Sequence, residues 1–293
     1  MKEFLLFLIV FLLYKKNESK FGKITKNNSI KSIKNDTIKI IKNDTIKTIK
    51  NKILIITAED RDENFIRYHD LNFEKYCKIH GYTYLRTKSC LKPITTYWCK
   101  IHLVQKYLND SDYDYIIWAD SDTIITDLNI SIEKIINDVG LVNDKSLVKS
   151  YKGQESYKGR ESYKDIIIGR DCKYKDSFID INAGFFIIKN SVIGKSFLDE
   201  CLLTLTKRPN CILNNKEQGE WAGPCFEQGI MNELYRTKKY NKHIYVDDSQ
   251  EIIYNDCYKS YIKDFKATDV YPFIIHLCGI SNELRAEFFK KFI

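Results

Sequence analysis

Two aspartates one residue apart close the apolar run Tyr115-Ile-Ile-Trp-Ala-Asp-Ser-Asp122. Carboxylates this close repel each other unless a proton or a cation lies between them. A hard divalent ion that also takes oxygens from a substrate diphosphate suits such a pair. The residues before them, Tyr115 to Trp118, are β-branched or aromatic and show no helical period, which predicts a buried strand. Side chains alternate across a strand, so Asp120 and Asp122 should leave its end on one side and Ser121 on the other. Ligands in α/β folds gather at such strand ends. An isolated Asp-x-Asp is more often a pair of solvated acids, so its meaning rests on the residues around it.

Three further groups have the right chemistry. Asn182-Ala-Gly184 precedes the apolar run Phe185 to Ile188, where small residues let a ligand approach the backbone or simply form a turn. Glu227-Gln228 opens a helical pattern, where an acid is either a catalytic group or a partner for the helix dipole. His276 ends a β-rich run before Leu277-Cys278-Gly279, as a metal ligand or as a structural histidine.

The elements that must position these groups alternate from Lys52 onward. Ile53 to Ile56 reads as a strand ending at Thr57-Ala58, and residues 64 to 79 as a helix through Ile66, Leu71, Phe73 and Tyr76, stopped by Gly81. Tyr82 to Leu85 is a second strand, Trp98 to Leu108 an amphipathic helix, and Tyr115 to Trp118 the third strand. Phe185 to Ile188 follows as a strand, Ser191 caps a helix to about Leu205, Glu227 to Leu234 is helical, and Tyr271 to Leu277 closes the set. This alternation predicts an α/β fold: a mostly parallel sheet with helices on both faces.

The 293 residues suffice for one sizeable α/β domain with appendages, and 44% hydrophobic composition is ample for its core. The net charge of +8 suggests nucleic acid until it is located. Residues 15–52 hold 12 lysines against Glu18, Asp36 and Asp44, which gives that segment +9 and leaves the rest close to neutral. No basic groove for nucleic acid is therefore expected on the domain. Phe4 to Tyr14 is an apolar run of 11 residues followed by two lysines. It is shorter than the roughly 20 residues that span a bilayer, and with no small-residue site after it an uncleaved signal core is preferred over a cleaved signal or an interfacial or buried helix. Residues 1–14 are thus expected to be a signal anchor and 15–51 a flexible Lys-rich stem, in which Lys34-Asn-Asp-Thr-Ile-Lys39 recurs as Lys42 to Lys47. A repetitive patch over 144–165 reads as a surface loop inside the domain 52–293. Asn17, Asn27, Asn35, Asn43, Asn109 and Asn129 open Asn-x-Ser/Thr acceptors. None of the nine cysteines forms a Cys-x-x-Cys pair, and Cys99, Cys201 and Cys278 read as small core residues.

Taken in order, the pieces resemble glycosyltransferase family 34, the retaining, membrane-anchored galactosyl-, mannosyl- and xylosyltransferases of fungi and plants. Tyr76-Cys-Lys-Ile-His-Gly-Tyr82 is similar to the family's Tyr-Cys-x-x-His-Gly helix end, and Tyr97-Trp-Cys-Lys-Ile101 to its Trp-x-Lys-Ile/Leu segment. Trp118-Ala-Asp-Ser-Asp122 resembles its Trp-x-Asp-x-Asp motif, with Ala119 where the family often has a larger apolar residue. Asn182-Ala-Gly184, Glu227-Gln228 and His276-Leu-Cys-Gly279 resemble its Asn-x-Gly strand, its Glu/Asp-Gln pair and its C-terminal His-x-x-Gly.

The resemblance implies a GT-A fold, a nucleotide-sugar donor (UDP- or GDP-linked), Mn²⁺ or Mg²⁺, and a glycan or glycoprotein acceptor. It also implies a type II membrane protein in the Golgi or secretory-pathway lumen. On this basis Asp120 touches ribose or metal, and Asp122 and His276 ligate the metal. Lys100 and Ser121 contact the donor, Asn182, Ala183 and Gly184 line the sugar pocket, and Thr57 lies near the base. Glu227 or Gln228 faces the anomeric carbon. Two other readings compete: a metal-dependent phosphohydrolase using Asp120 and Asp122, and a tethered protein whose basic stem grips acidic lipid or nucleic acid.

Overall fold

The computed structural model describes residues 51–90, 95–142, 164–172, 180–256 and 271–293. The expected anchor, almost all of the stem and nearly all of the 144–165 patch lie outside the described residues. The first half of the domain contains β1 (Ile53–Ala58), α1 (Asn64–His80), β2 (Thr83–Thr87), α2 (Thr96–Asp110), β3 (Tyr115–Ala119), β4 (Thr123–Ile125) and α3 (Ile132–Val142). The second half contains β5 (Ile166–Arg170), β6 (Ile181–Lys189), α4 (Val192–Thr206), β7 (Ile212–Leu213), β8 (Lys216–Glu217) and α5 (Glu227–Tyr235). It ends with β9 (Ile244–Asp247), β10 (Ile253–Asn255), β11 (Ile274–His276) and α6 (Asn282–Phe289).

A six-stranded sheet runs β2-β1-β3-β6-β5-β9, and a three-stranded sheet runs β10-β11-β4. β1 is parallel to β2 and β3, and β5 is parallel to β9, as the alternation predicts. β6 is the exception, antiparallel to both β3 and β5. Its connection from β5 is shorter than the dozen or so residues a parallel crossover needs, so the chain turns back instead.

Each face of the large sheet is covered. Leu54, Ile56, Ile116, Trp118, Ile166, Ile168, Phe186 and Ile188 pack on one side against α2, α4 and α5, through Trp98, Val104, Phe197 and Met231. Ile53, Ile55, Ile117, Ile167, Phe185 and Ile187 face the other way, toward Phe73 and Tyr76 of α1, α3 and the small sheet. Strands buried on both faces carry unbroken apolar runs for this reason. A third cluster joins Phe65 and Ile66 of α1 to Ile275, Phe288 and Phe289, which ties the C-terminal helix to the small sheet.

Two local features differ from the sequence reading. The buried face of α1 contains His69 and Asn72, while Leu71, expected inside, is 42% exposed. β6 begins at Ile181, so Asn182-Ala-Gly184 lies within the strand rather than in a turn before it. Opposite β5 the register jumps from Ile168↔Phe186 to Gly169↔Asn182, so residues 183–185 bulge outward while β3 stays paired as far as Phe185. Bulges re-aim side chains and backbone at a sheet's working end. Of the three cysteines expected in the core, Cys99 is buried there and also bonded to Cys90; elsewhere Cys211 pairs with Cys225. Cys172 is also disulfide-bonded, whereas Cys201 and Cys278 are free.

Candidate active site

The site is built at a reversal of chain. Asp120 follows β3 and its N–H donates to Gly184 O on β6 at 2.7 Å. The backbone N–H of Thr123 returns to Asp120 O at 3.0 Å, so the chain folds back at once into β4. β4 pairs antiparallel with β11, and Thr123 stands opposite His276. Asp122 is thereby brought beside a residue 154 positions away, with Oδ1 at 3.1 Å from His276 Nε2. One ligand atom each from Asp120, Asp122 and His276 lie within 4.8 Å of one another. The three residues named as metal ligands in the sequence thus converge.

Neighbours fix both partners. Asn255 Nδ2 donates to Arg170 O at 2.7 Å, which leaves its Oδ1 to face His276 Nδ1 at 2.9 Å. Nδ1 therefore carries the proton and Nε2 is the nitrogen turned to the aspartates. Asp122 Oδ2 accepts from Arg285 Nη2 at 2.9 Å, while Arg285 also donates to Leu277 O. Burial alone would neutralise both groups of the Asp122–His276 pair. For Asp122 the charges of His276 and Arg285 outweigh it and hold the carboxyl well below the usual range. For His276 burial is outweighed by Cys278 and Asp122, and the imidazole is raised well above its ordinary value.

Lys100 is the second hub. Its Nζ lies 3.1 Å from Asp120 Oδ1, 3.1 Å from Glu227 Oε1 and 3.1 Å from Ala183 O. The family resemblance places this lysine on the phosphate or sugar of the donor. In the structure it is buried and its hydrogen-bonding capacity is engaged by these three oxygens. Burial would lower its pKa, but Asp120 and Glu227 raise it further, so it stays charged. Glu227 is only 2% exposed, and its Oε2 is a buried oxygen without a hydrogen-bond partner. Burial raises its pKa, Lys100 opposes that, and Asp120 adds to it.

The other expected contacts are internal. Gln228 Oε1 accepts from Ala183 N at 3.0 Å, and its Nε2 donates to Asp171 at 3.2 Å. Asn182 Nδ2 donates to Asp171 at 2.8 Å, and its Oδ1 accepts from Gly184 N at 2.8 Å. Ala183 is wholly buried, with its N–H on Gln228 and its carbonyl on Lys100. Gly184 leaves room for the His276 ring, with which a Cβ would overlap. Thr57 is wholly buried as well; its hydroxyl donates to Ala119 O at 2.9 Å and meets His69 Nε2 at 3.1 Å, which braces the strand end. Ser121 donates to Glu59 Oε2 at 2.6 Å. Burial works against the Glu59 charge, but Arg61 and Ser121 bring its pKa down to about 2.

Asp171, Asn255, Arg285 and Glu59 complete the site and were not read from the sequence. Asp171 and Asn255 end short apolar strands, so the reasoning applied to Asp120 could have found them. Arg285 sits mid-helix and contacts Asp122 across 163 positions; no local pattern marks it.

The model of the galactosyl transferase GMA12/MNN10 family matches residues 25–283. The chain belongs to this family. The match covers all six motifs quoted above for family 34, and it makes the protein a glycosyltransferase. Its fold recurs in a glycosyltransferase involved in the glycosylation of the major capsid of PBCV-1, at a TM-score of 0.53 and 15% identity, over 82% of this chain and 99% of that one. The galactosyltransferase LgtC, in complex with donor and acceptor sugar analogs, aligns at 0.47 and 11% over 82% of this chain and 94% of its own. GlyE of Streptococcus pneumoniae TIGR4 aligns at 0.44 and 15% over 83% and 60%. A search of curated proteins found no match. At these identities the likeness is one of fold, and the fold is GT-A.

Proposed function

We propose that this family member moves a hexosyl or pentosyl unit from a UDP- or GDP-sugar to a glycan or glycoprotein acceptor, with retention at the anomeric carbon. The observation that carries the reading is the convergence of Asp120, Asp122 and His276, with Nε2 turned inward by Asn255. Two carboxylates and an imidazole so oriented fit Mn²⁺ or Mg²⁺, with room in the coordination shell for diphosphate oxygens. A bound ion would supply positive charge against the charge that develops on the departing diphosphate.

The chain's own residues prepare for that. Arg285 holds one oxygen of Asp122 and leaves Oδ1 toward the metal position. Lys100 ties Asp120 to Glu227 and keeps both carboxylates placed. Gln228 has both side-chain polar atoms engaged, whereas Glu227 retains one free oxygen. Of the two, Glu227 is therefore the group assigned to the anomeric face, where its charge would support oxocarbenium character.

The same reading makes the protein a type II membrane protein of the secretory pathway, with residues 1–14 as anchor and 15–51 as stem. The disulfides Cys90–Cys99 and Cys211–Cys225 support an oxidising compartment. No helix of the described residues is long and apolar enough to cross a membrane.

The test is donor hydrolysis by the protein with UDP-galactose, UDP-xylose and GDP-mannose, in Mn²⁺ and in EDTA. One donor should be cleaved, in Mn²⁺ only. Phosphate release from simple esters with every nucleotide sugar left intact would mean a phosphohydrolase instead.

A further inference from the structure

Three aromatic rings stand together beside the catalytic groups; Phe226 is buried, whereas Tyr97 and Trp221 reach solvent. Trp221 is 60% exposed and Tyr97 is 37% exposed, in a protein whose other two tryptophans, Trp98 and Trp118, are buried. Tyr97 and Trp221 have ring centroids 4.9 Å apart, Tyr97 and Phe226 5.3 Å, and Trp221 and Phe226 5.4 Å. All three pairs are edge-to-face, so no ring of the trio is stacked on another. Leaving Trp221 in water forgoes the burial that stabilises the other two tryptophans, and evenly scattered surface residues would not cluster this way.

The position is specific. Tyr97 lies three residues before Lys100 on α2, hence on the same side of that helix. Phe226 immediately precedes Glu227. Glu217, on the short β7–β8 hairpin, accepts from Thr95 and so places a carboxylate at the same rim. The segment that carries Trp221 is held from several sides. Cys225 is bonded to Cys211, and its carbonyl accepts from Trp98 Nε1 at 3.1 Å. Arg208 donates to Pro224 O at 2.7 Å, and Gly229 has no Cβ to collide with Gly223 O. An exposed ring on a braced loop loses little entropy when it is covered.

We infer that Trp221, with Tyr97 and Phe226, is the acceptor-binding platform: a pyranose ring of the acceptor glycan stacks on the exposed indole while Glu217 accepts from its hydroxyls. The inference rests on the glycosyl-transfer reading and names the substrate contact for it. An apolar C–H face against an aromatic ring, with a carboxylate beside it, is the mix of shape and polarity that a sugar presents. One exposed tryptophan flanked by Glu217 and Glu220 is too small and too acidic for a stable protein interface or for an anionic membrane surface.

Trp221 is its own reporter, because the other two tryptophans are buried. The full chain is titrated with cellohexaose, mannohexaose and maltohexaose, with tryptophan fluorescence as readout. At least one should give a saturable, blue-shifted change, and Trp221→Ala should weaken binding of that sugar roughly tenfold, as read by calorimetry. Tyr97→Ala should weaken it less. Matching melting curves for the wild type and Trp221→Ala exclude misfolding as the cause. No saturable change with any of the three, or equal affinity in Trp221→Ala, overturns the platform. Donor hydrolysis by the wild-type protein, measured in parallel without acceptor, tests the glycosyl-transfer reading separately.

Discussion

The ring of His276 occupies the space that a side chain at Gly184 would need: a Cβ there would overlap its Cε1, Nδ1 and Nε2. His276, at the end of β11, is thus seated directly on the bulge of β6. Because Asp120 N–H donates to the carbonyl of the same glycine, Gly184 sets the distance between two of the three candidate ligands. Gly184→Ala should displace the imidazole and weaken Mn²⁺-dependent UDP or GDP binding by at least about tenfold, with a folding cost of ~1–3 kcal/mol. If overlap is the cause, His276→Ala added to Gly184→Ala should cost less stability than His276→Ala alone. Additive losses in denaturant titrations would mean the glycine acts in some other way.

Lys100 should behave as the keystone of a buried charge cluster. Asp120 and Glu227 flank its ammonium, so Lys100→Met leaves the buried Glu227 and the half-buried Asp120 uncompensated, at a cost of ~3–5 kcal/mol. The loss should be smaller in acid. Burial already raises Glu227, and without the lysine its folded-state pKa rises further above the unfolded value. A carboxyl shifted in that direction destabilises the fold increasingly as pH climbs through the unfolded pKa. Urea titrations at pH 5 and 7.5 check this. A change below about 0.5 kcal/mol at both would be the behaviour of a surface lysine.

The parts of this site legible in the sequence are those whose chemistry and strand position coincide. Asp120, Asp122 and His276 each sit at or just past the end of an apolar run, and such ends gather in an α/β fold. Lys100 stands out in the sequence, but its partner does not, because nothing local says that Glu227 and Ala183 O would reach its ammonium first. On α1, Asn72 lies inward because its side chain meets the carbonyls of Ile125 and Phe292 and the N–H of Ile125. Apolar periodicity cannot register a polar residue that binds backbone from strand β4 and from the chain's end. The reversed β6 escapes for a similar reason: strand runs buried on both faces look alike in either direction.

Metal affinity should depend on pH with a known sign. In the metal-free protein His276 is raised well above its ordinary value by Cys278 and Asp122, against burial. Its Nε2 proton must leave before that nitrogen can bind an ion, so metal and proton compete. Mn²⁺ affinity should rise about tenfold per pH unit below the folded-state pKa and level off above it. Stability of the metal-free protein should run the other way. The imidazolium stabilises the fold fully below the unfolded value of about 6.5, and that contribution is lost as pH rises through the higher folded value. Calorimetric Mn²⁺ titrations from about pH 5.5 to about pH 8.5, which bracket the ordinary imidazole value, would expose the slope. A flat profile would remove Nε2 from the metal site.

Asp122 and His276 should act as one unit although 154 positions separate them. Each faces the other at 3.1 Å, and each is oriented by its own support, Arg285 for the carboxylate and Asn255 for the imidazole. Asp122→Asn and His276→Ala should each abolish Mn²⁺-dependent nucleotide binding, and the double variant should be little worse than either, since a site missing one of three ligands no longer holds the ion. Asn255→Leu removes the acceptor for Nδ1–H, together with the bond from Nδ2 to Arg170 O, and frees the ring to turn. It should lower metal affinity about 10–100-fold without abolishing it, the usual effect of losing a group that orients a ligating histidine. This graded outcome separates a ligand from a merely structural histidine. If His276→Ala retains wild-type metal dependence while Asn255→Leu only destabilises the fold, the pair is an internal ion pair and the ion is held elsewhere.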